Sequence, residues 1–194
     1  MNTNSISAFE YVTILISIIL GLGITQVLSS AAEAFYHSKK IKFFLPHTIW
    51  VLVILFLHIQ DWFILYELKE YPVGKLSTFL FIILYPIVLF VITKLLFPPI
   101  SGEENINLKD FFLDSFPKIF YLFCVCILLS VIFNMCLLNA SLIEQTLLFI
   151  PFVIFSTAAF RKIKNVAVHY SLAIFIFLLI TITTIAEHNN WYVK

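Results

Sequence analysis

Six apolar runs divide this chain, at 11–30, 48–68, 76–97, 118–138, 146–160 and 166–186, with shorter and more polar connections between them. Five of the six hold 20–22 residues. At about 1.5 Å of rise per residue, roughly 20 residues cross a hydrocarbon layer of about 30 Å. Backbone in that layer must satisfy its own hydrogen bonds, so each run is read as a helix. The expected fold is an all-α integral membrane protein, a bundle of six transmembrane helices forming a single polytopic domain over 1–194. The run at 146–160 has only 15 residues, and its crossing has to be argued from charge.

Composition agrees. The chain is 61% hydrophobic and 12% charged, against about 45–50% and about 25% in soluble domains. No soluble core of 194 residues could hide that much apolar surface, so lipid must be the solvent for most of it. A formal net charge of +1, with no basic tail or arginine-rich segment, excludes nucleic acid as an expected partner.

The basic residues decide orientation. Lys39, Lys40 and Lys42 follow the first run, Lys94, Lys109 and Lys118 flank the connection from third to fourth, and Arg161, Lys162 and Lys164 join fifth to sixth. If all six runs cross, these nine of the 12 Lys and Arg residues share one side. Lys69, Lys75 and Lys194 lie on the other. The rich side is expected to be cytoplasmic, with both termini outward. If 146–160 does not cross, the asymmetry disappears, and this favours six spans. The expected location is the cell membrane, the inner membrane in a prokaryote. Met1 to Phe9 carries no Lys or Arg, unlike the start of a secretory signal peptide.

Segment 107–116 has Leu108, Phe111, Phe112, Ser115 and Phe116 on one helical face and Lys109, Asp110 and Asp114 opposite. That pattern predicts a short interfacial helix between helices 3 and 4, ending before Pro117. Trp50, Trp62, Tyr66, Tyr71, Trp191 and Tyr192 mostly fall near run ends, where aromatic anchors belong. Cys124 and Cys126 are two apart, so on a helix they diverge by about 200° and cannot share a metal or a disulfide. With Cys136 they read as small buried side chains.

Two features single out candidate functional residues. The first is a series at intervals of four in the first run: Thr13, Ser17, Gly21, Thr25 and Ser29. Small residues on one face let another helix approach closely. The series is read as a packing seam, within the chain or between copies of a homo-oligomer. Gly21-Leu22-Gly23 lacks the full glycine fingerprint of a nucleotide loop.

The second is the polar content of run two. An ionisable side chain at a helix centre costs about 2.5–3.5 kcal/mol on insertion scales, and marks function by default. Counting from Thr48, His58 lies roughly 15 Å deep and Asp61 roughly 20 Å deep. Glu10, Asn134, Glu187 and His188 fall at outer-half levels of other helices. These six residues are read as ligand- or ion-binding candidates around an outward-facing pocket. A structural polar network is the plainer reading of the same set. A metal or haem site is a third, with His47 and His169 as a matched pair at helix ends. The cofactor, if any, is open. No Gly-x-Ser-x-Gly, His-Glu-x-x-His or paired aspartates within a span suggests an enzyme.

The expected function is therefore that of an ion or proton transporter or channel-like protein. The alternative is a non-transporting accessory, sensor or effector, for example in a defence or stress system. It would act through oligomerisation or a cytoplasmic partner bound at 98–118 and 161–165. The two three-span halves show no mutual similarity that would support an inverted repeat.

Overall fold

A computed structural model describes residues 8–67, 75–99 and 105–186. Its helices are α1 (Ala8–Tyr36), α2 (Leu45–Glu67), α3 (Leu76–Leu96), α4 (Leu108–Cys136), α5 (Thr146–Phe160) and α6 (Val166–Ala186). Two short strands, β1 (Ile41–Lys42) and β2 (Ile106–Asn107), pair in parallel. Five helices are long and apolar enough to cross a membrane, and α5 is a shorter apolar helix. The outward faces carry apolar side chains at helical spacing, such as Leu80, Leu84, Ile87 and Val91 on α3, and Tyr121, Val125, Leu128 and Ile132 on α4. In water such surfaces would aggregate; in lipid they are the solvated face. The chain is a multi-pass helical membrane protein.

The basic connections gather at one end. Pairing of β1 with β2 joins the α1–α2 connection to the segment leading into α4. His47, at the start of α2, donates from Nε2 to the carbonyl of Leu96 at the end of α3, 2.7 Å away. Lys164, in the α5–α6 turn, pairs with Asp114 of α4 at 2.6 Å. Helix α5 runs antiparallel beside α4, from Gln145, whose side chain accepts from Asn134 at 2.8 Å, back to that turn. Fifteen residues supply about 22 Å. The turn at 137–145, with Leu142 and Ile143 exposed, precedes the helix and sits at the level of Asn134. That turn explains how a short run still returns the chain to the basic end.

Helix α2 packs against α1, α3 and α6, while α4 packs against α3 and α5. The core at the basic end is aromatic. Trp50 of α2 meets Phe120, Phe123 and Phe155 at centroid distances of 5.4, 5.2 and 5.7 Å. Phe112 and Phe116 extend the stack towards His169 of α6. At the far end Val12, Ile16, Leu20, Leu65 and Ile82 form a second cluster, flanked by Phe79 and Phe133.

Two expectations change. Segment 107–116 is not a separate interfacial helix: α4 is continuous from Leu108 to Cys136 and passes through Pro117. Its start is capped by Asn107, whose Oδ1 accepts from the Lys109 backbone N–H at 3.1 Å. Its phenylalanine face closes the core, since Phe112 and Phe116 are fully buried. Trp50 likewise is a core residue rather than an anchor, and its indole nitrogen is buried without a hydrogen-bond partner. Trp62 is exposed as an anchor should be; Tyr71, Trp191 and Tyr192 lie outside the described residues.

Phe120 touches Trp50, Phe116 and Phe155 and has no exposed surface. Phe120→Ala is expected to cost about 3–5 kcal/mol, measured as a lowered unfolding midpoint in detergent, whereas Val125→Ala on the outward face should change it little.

Candidate functional site

Helix α2 carries the polar residues into the bundle interior. His58 is fully buried. Its Nδ1 donates to the carbonyl of Ile54 one turn back, at 2.7 Å. With the proton on Nδ1, Nε2 presents a lone pair, and that atom is buried with no partner. The imidazole lies against the backbone of α1 at Gly23: a Cβ there would overlap the ring around Nε2 and Cδ2. Glycine at 23 is thus what lets α1 and α2 close on a histidine. Gly21, by contrast, faces open space.

Asp61 is one turn further along but serves a different interface. Its Oδ2 is buried without a hydrogen-bond partner. The carboxyl interacts electrostatically with the Tyr85 hydroxyl of α3 and with the Cys126 thiol of α4. Ser130 of α4 places a hydroxyl beside the Tyr85 phenol. Cys126 and Ser130 are four apart and share a face of α4. The site is therefore a carboxyl with a phenol, a thiol and a hydroxyl, contributed by three helices. The phenol and the thiol are within electrostatic range of the carboxyl, and Oδ2 has no hydrogen-bond partner among the described residues.

Among the described residues, the candidates lie at different helix interfaces. His58 turns to α1 and Asp61 to α3 and α4. Asn134 is engaged with Gln145 on the α4–α5 side. Glu10 is exposed on the first turns of α1. Glu187 and His188 lie outside the described residues. Between the ends of α1, α2, α3 and α4 stands the apolar cluster of Val12, Ile16, Leu20, Leu65 and Ile82. Among the described residues, the buried side chains at that end are apolar.

The small-residue series also lies elsewhere than the internal seam. The buried edge of α1 is Val12, Ile16, Leu20, Gly23, Val27, Ser30 and Ala34. Thr13 and Ser17 are partly buried beside it, while Gly21, Thr25 and Ser29 face outward. A strict interval of four drifts around a 3.6-residue helix, whereas steps of three and four stay on one stripe.

His47 and His169 flank the ring of Phe112, at centroid distances of 6.3 and 5.4 Å. His169 donates from Nε2 to the Ile163 carbonyl at 2.8 Å, as His47 does to Leu96. With a phenyl ring between them and each Nε2 engaged by backbone, the pair does not suit axial ligation of a haem. Among the described residues no three His, Cys, Asp or Glu side chains gather into a metal-binding group.

The sequence reading missed Gly23, Tyr85, Cys126 and Ser130. Gly23 could have been found from the α1 stripe. Tyr85 and Cys126 carry no such signal, because each is a common residue in an apolar run. Comparison with family models, curated proteins and solved structures gave no match, so the reading of this site rests on its geometry.

Gly23→Ala is expected to destabilise the bundle, and His58→Ala to relieve that defect. In a double-mutant cycle followed by thermal unfolding in detergent, the pair should couple by about 0.5–3 kcal/mol. Additive effects would show that the two residues do not meet.

Proposed function

We propose that this protein binds a proton or small cation at Asp61 and moves it across the membrane, with Tyr85, Cys126 and Ser130 as the polar surroundings of that carboxyl. The observation that carries this reading is the buried, unpartnered Oδ2 of Asp61 among donors from two other helices. A charge left alone in hydrocarbon is costly. A proton or cation removes that cost, and releasing it restores the cost, so the site has two states of different energy. His58 is the second group of the pathway, through its buried, unpartnered Nε2. The basic end faces the cytoplasm and both termini face outward, on the positive-inside rule.

A second reading is favoured by a separate observation. Gly21, Thr25 and Ser29 form an outward small-residue face on α1, and the Lys164–Asp114 pair brings 161–165 and the start of α4 onto one surface. On this reading the protein is a non-transporting accessory, sensor or effector that self-associates through α1 and engages a cytoplasmic partner.

One variant separates the two. In proteoliposomes with an internal pH-sensitive dye, the wild-type protein is expected to dissipate an imposed proton or monovalent-cation gradient. Asp61→Asn, which keeps the shape of the side chain and removes its charge, should abolish that flux while helicity and unfolding midpoint stay the same. Equal flux from the variant overturns the transport reading. No flux from either protein, with association lost in a Gly21→Leu variant, establishes the second.

A further inference from the structure

Helices α5 and α6 follow one another in sequence but pack on different neighbours, α5 on α4 and α6 on α2. Between them runs an open, largely apolar groove of about 590 Å³. That volume is in the usual range for small-molecule sites, about 300–1,000 Å³. Val153, Thr157 and Ala158 form one wall and Ala167, Ser171 and Phe175 the other. The groove closes at Ile163, in the turn that joins the two helices. The small side chains of Ala158, Ala167 and Ser171 keep it wide.

The turn at the closed end is built to present cations. Lys162 N–H bonds to the Ala159 carbonyl at 3.2 Å, and Ile163 N–H to the Ala158 carbonyl at 3.1 Å. These are the paired bonds of a Schellman cap, with Lys162 in the left-handed region at φ 46°. The cap tucks Ile163 back onto α5 at Ala158, a groove residue, and leaves Arg161 and Lys162 exposed. Lys164, the third cation of the turn, is taken up by Asp114. Thr157 and Ser171 place hydroxyls in the walls one to two turns in. Cations at the end, hydroxyls next and apolar side chains beyond follow the order of an anionic phospholipid's own parts: phosphate, glycerol and ester region, acyl chain.

We infer that the α5–α6 groove is a binding site for an anionic phospholipid, with the headgroup phosphate at Arg161 and Lys162 and an acyl chain lying between Val153 and Phe175. Basic pockets between transmembrane helices on the cytoplasmic side suit such headgroups. The site is separate from Asp61, and its occupancy does not depend on whether the protein transports anything.

The test uses the full chain, purified in detergent and mixed with equal amounts of phosphatidylglycerol and phosphatidylcholine, with bound lipid counted by native mass spectrometry. The wild type should retain phosphatidylglycerol in preference. Arg161→Gln with Lys162→Gln, both at exposed positions, should weaken that retention by roughly 25-fold, since each basic residue near an anionic surface contributes about fivefold. Ala167→Phe, which fills the groove and keeps both cations, should also lose the lipid, with a circular dichroism spectrum like that of the wild type to show that it folds. Equal retention of both lipids by the wild type overturns the proposal, as does unchanged preference in the Gln variant. Unchanged retention in a folded Ala167→Phe variant, or displacement of the lipid by inorganic phosphate alone, also overturns it, in favour of a surface anion site.

Discussion

A helix that takes an imidazole and a carboxyl through hydrocarbon must be surrounded by other helices. This constraint places α2. Lipid offers no hydrogen bonds, so His58 and Asp61 can be tolerated only where protein covers them. Helix α1 covers His58 through Gly23, and α3 and α4 bring Tyr85 and Cys126 to Asp61. Helix α6 packs on α2 as well. The outer helices can then be apolar on their free faces because the polar groups have been gathered onto the one in the middle.

The same constraint explains how the buried histidines are held. His47, His58 and His169 are each buried, and each gives a ring N–H to a backbone carbonyl. Two of these bonds are tertiary: His47 ties the start of α2 to the end of α3, and His169 holds the α5–α6 turn. The third is within one helix and leaves Nε2 of His58 facing α1. The buried Thr93 makes the same move, bonding the Leu89 carbonyl of its own helix. Among the described residues, Asp61 Oδ2 is a buried acceptor without a partner, as are Nε2 of His58 and Nδ1 of His169.

Much of the architecture was legible in the sequence, because span length and the side of the lysines follow from lipid thickness and charge alone. The grouping of Lys42, Lys94 and Lys164 at one end needs no knowledge of packing. What was not legible depends on which face of a helix meets which neighbour. An apolar face on 108–116 is equally suited to a membrane surface and to a bundle core, and only the packing of Phe112 and Phe116 distinguishes them. In α1 nearly every position is apolar or small, so the stripe containing Gly23 and the outward face containing Gly21 look alike in sequence. Asp61 was conspicuous for its charge, but its companions are a tyrosine, a cysteine and a serine that no pattern marks.

The short pairing of Ile41–Lys42 with Ile106–Asn107 does more than close two connections. It joins the α1–α2 hairpin to the chain that continues from α3 into α4 by backbone bonds, including Ile106 N–H to the Lys40 carbonyl at 2.9 Å. At the opposite end, the cluster of Val12, Leu20, Leu65 and Ile82 is held by apolar contact, which is non-directional and slides at little cost. Among the described residues the two ends therefore differ in what they fix: the backbone clasp sets the register of β2, and of α4 after it, against the α1–α2 connection, and the apolar cluster fills space without setting one.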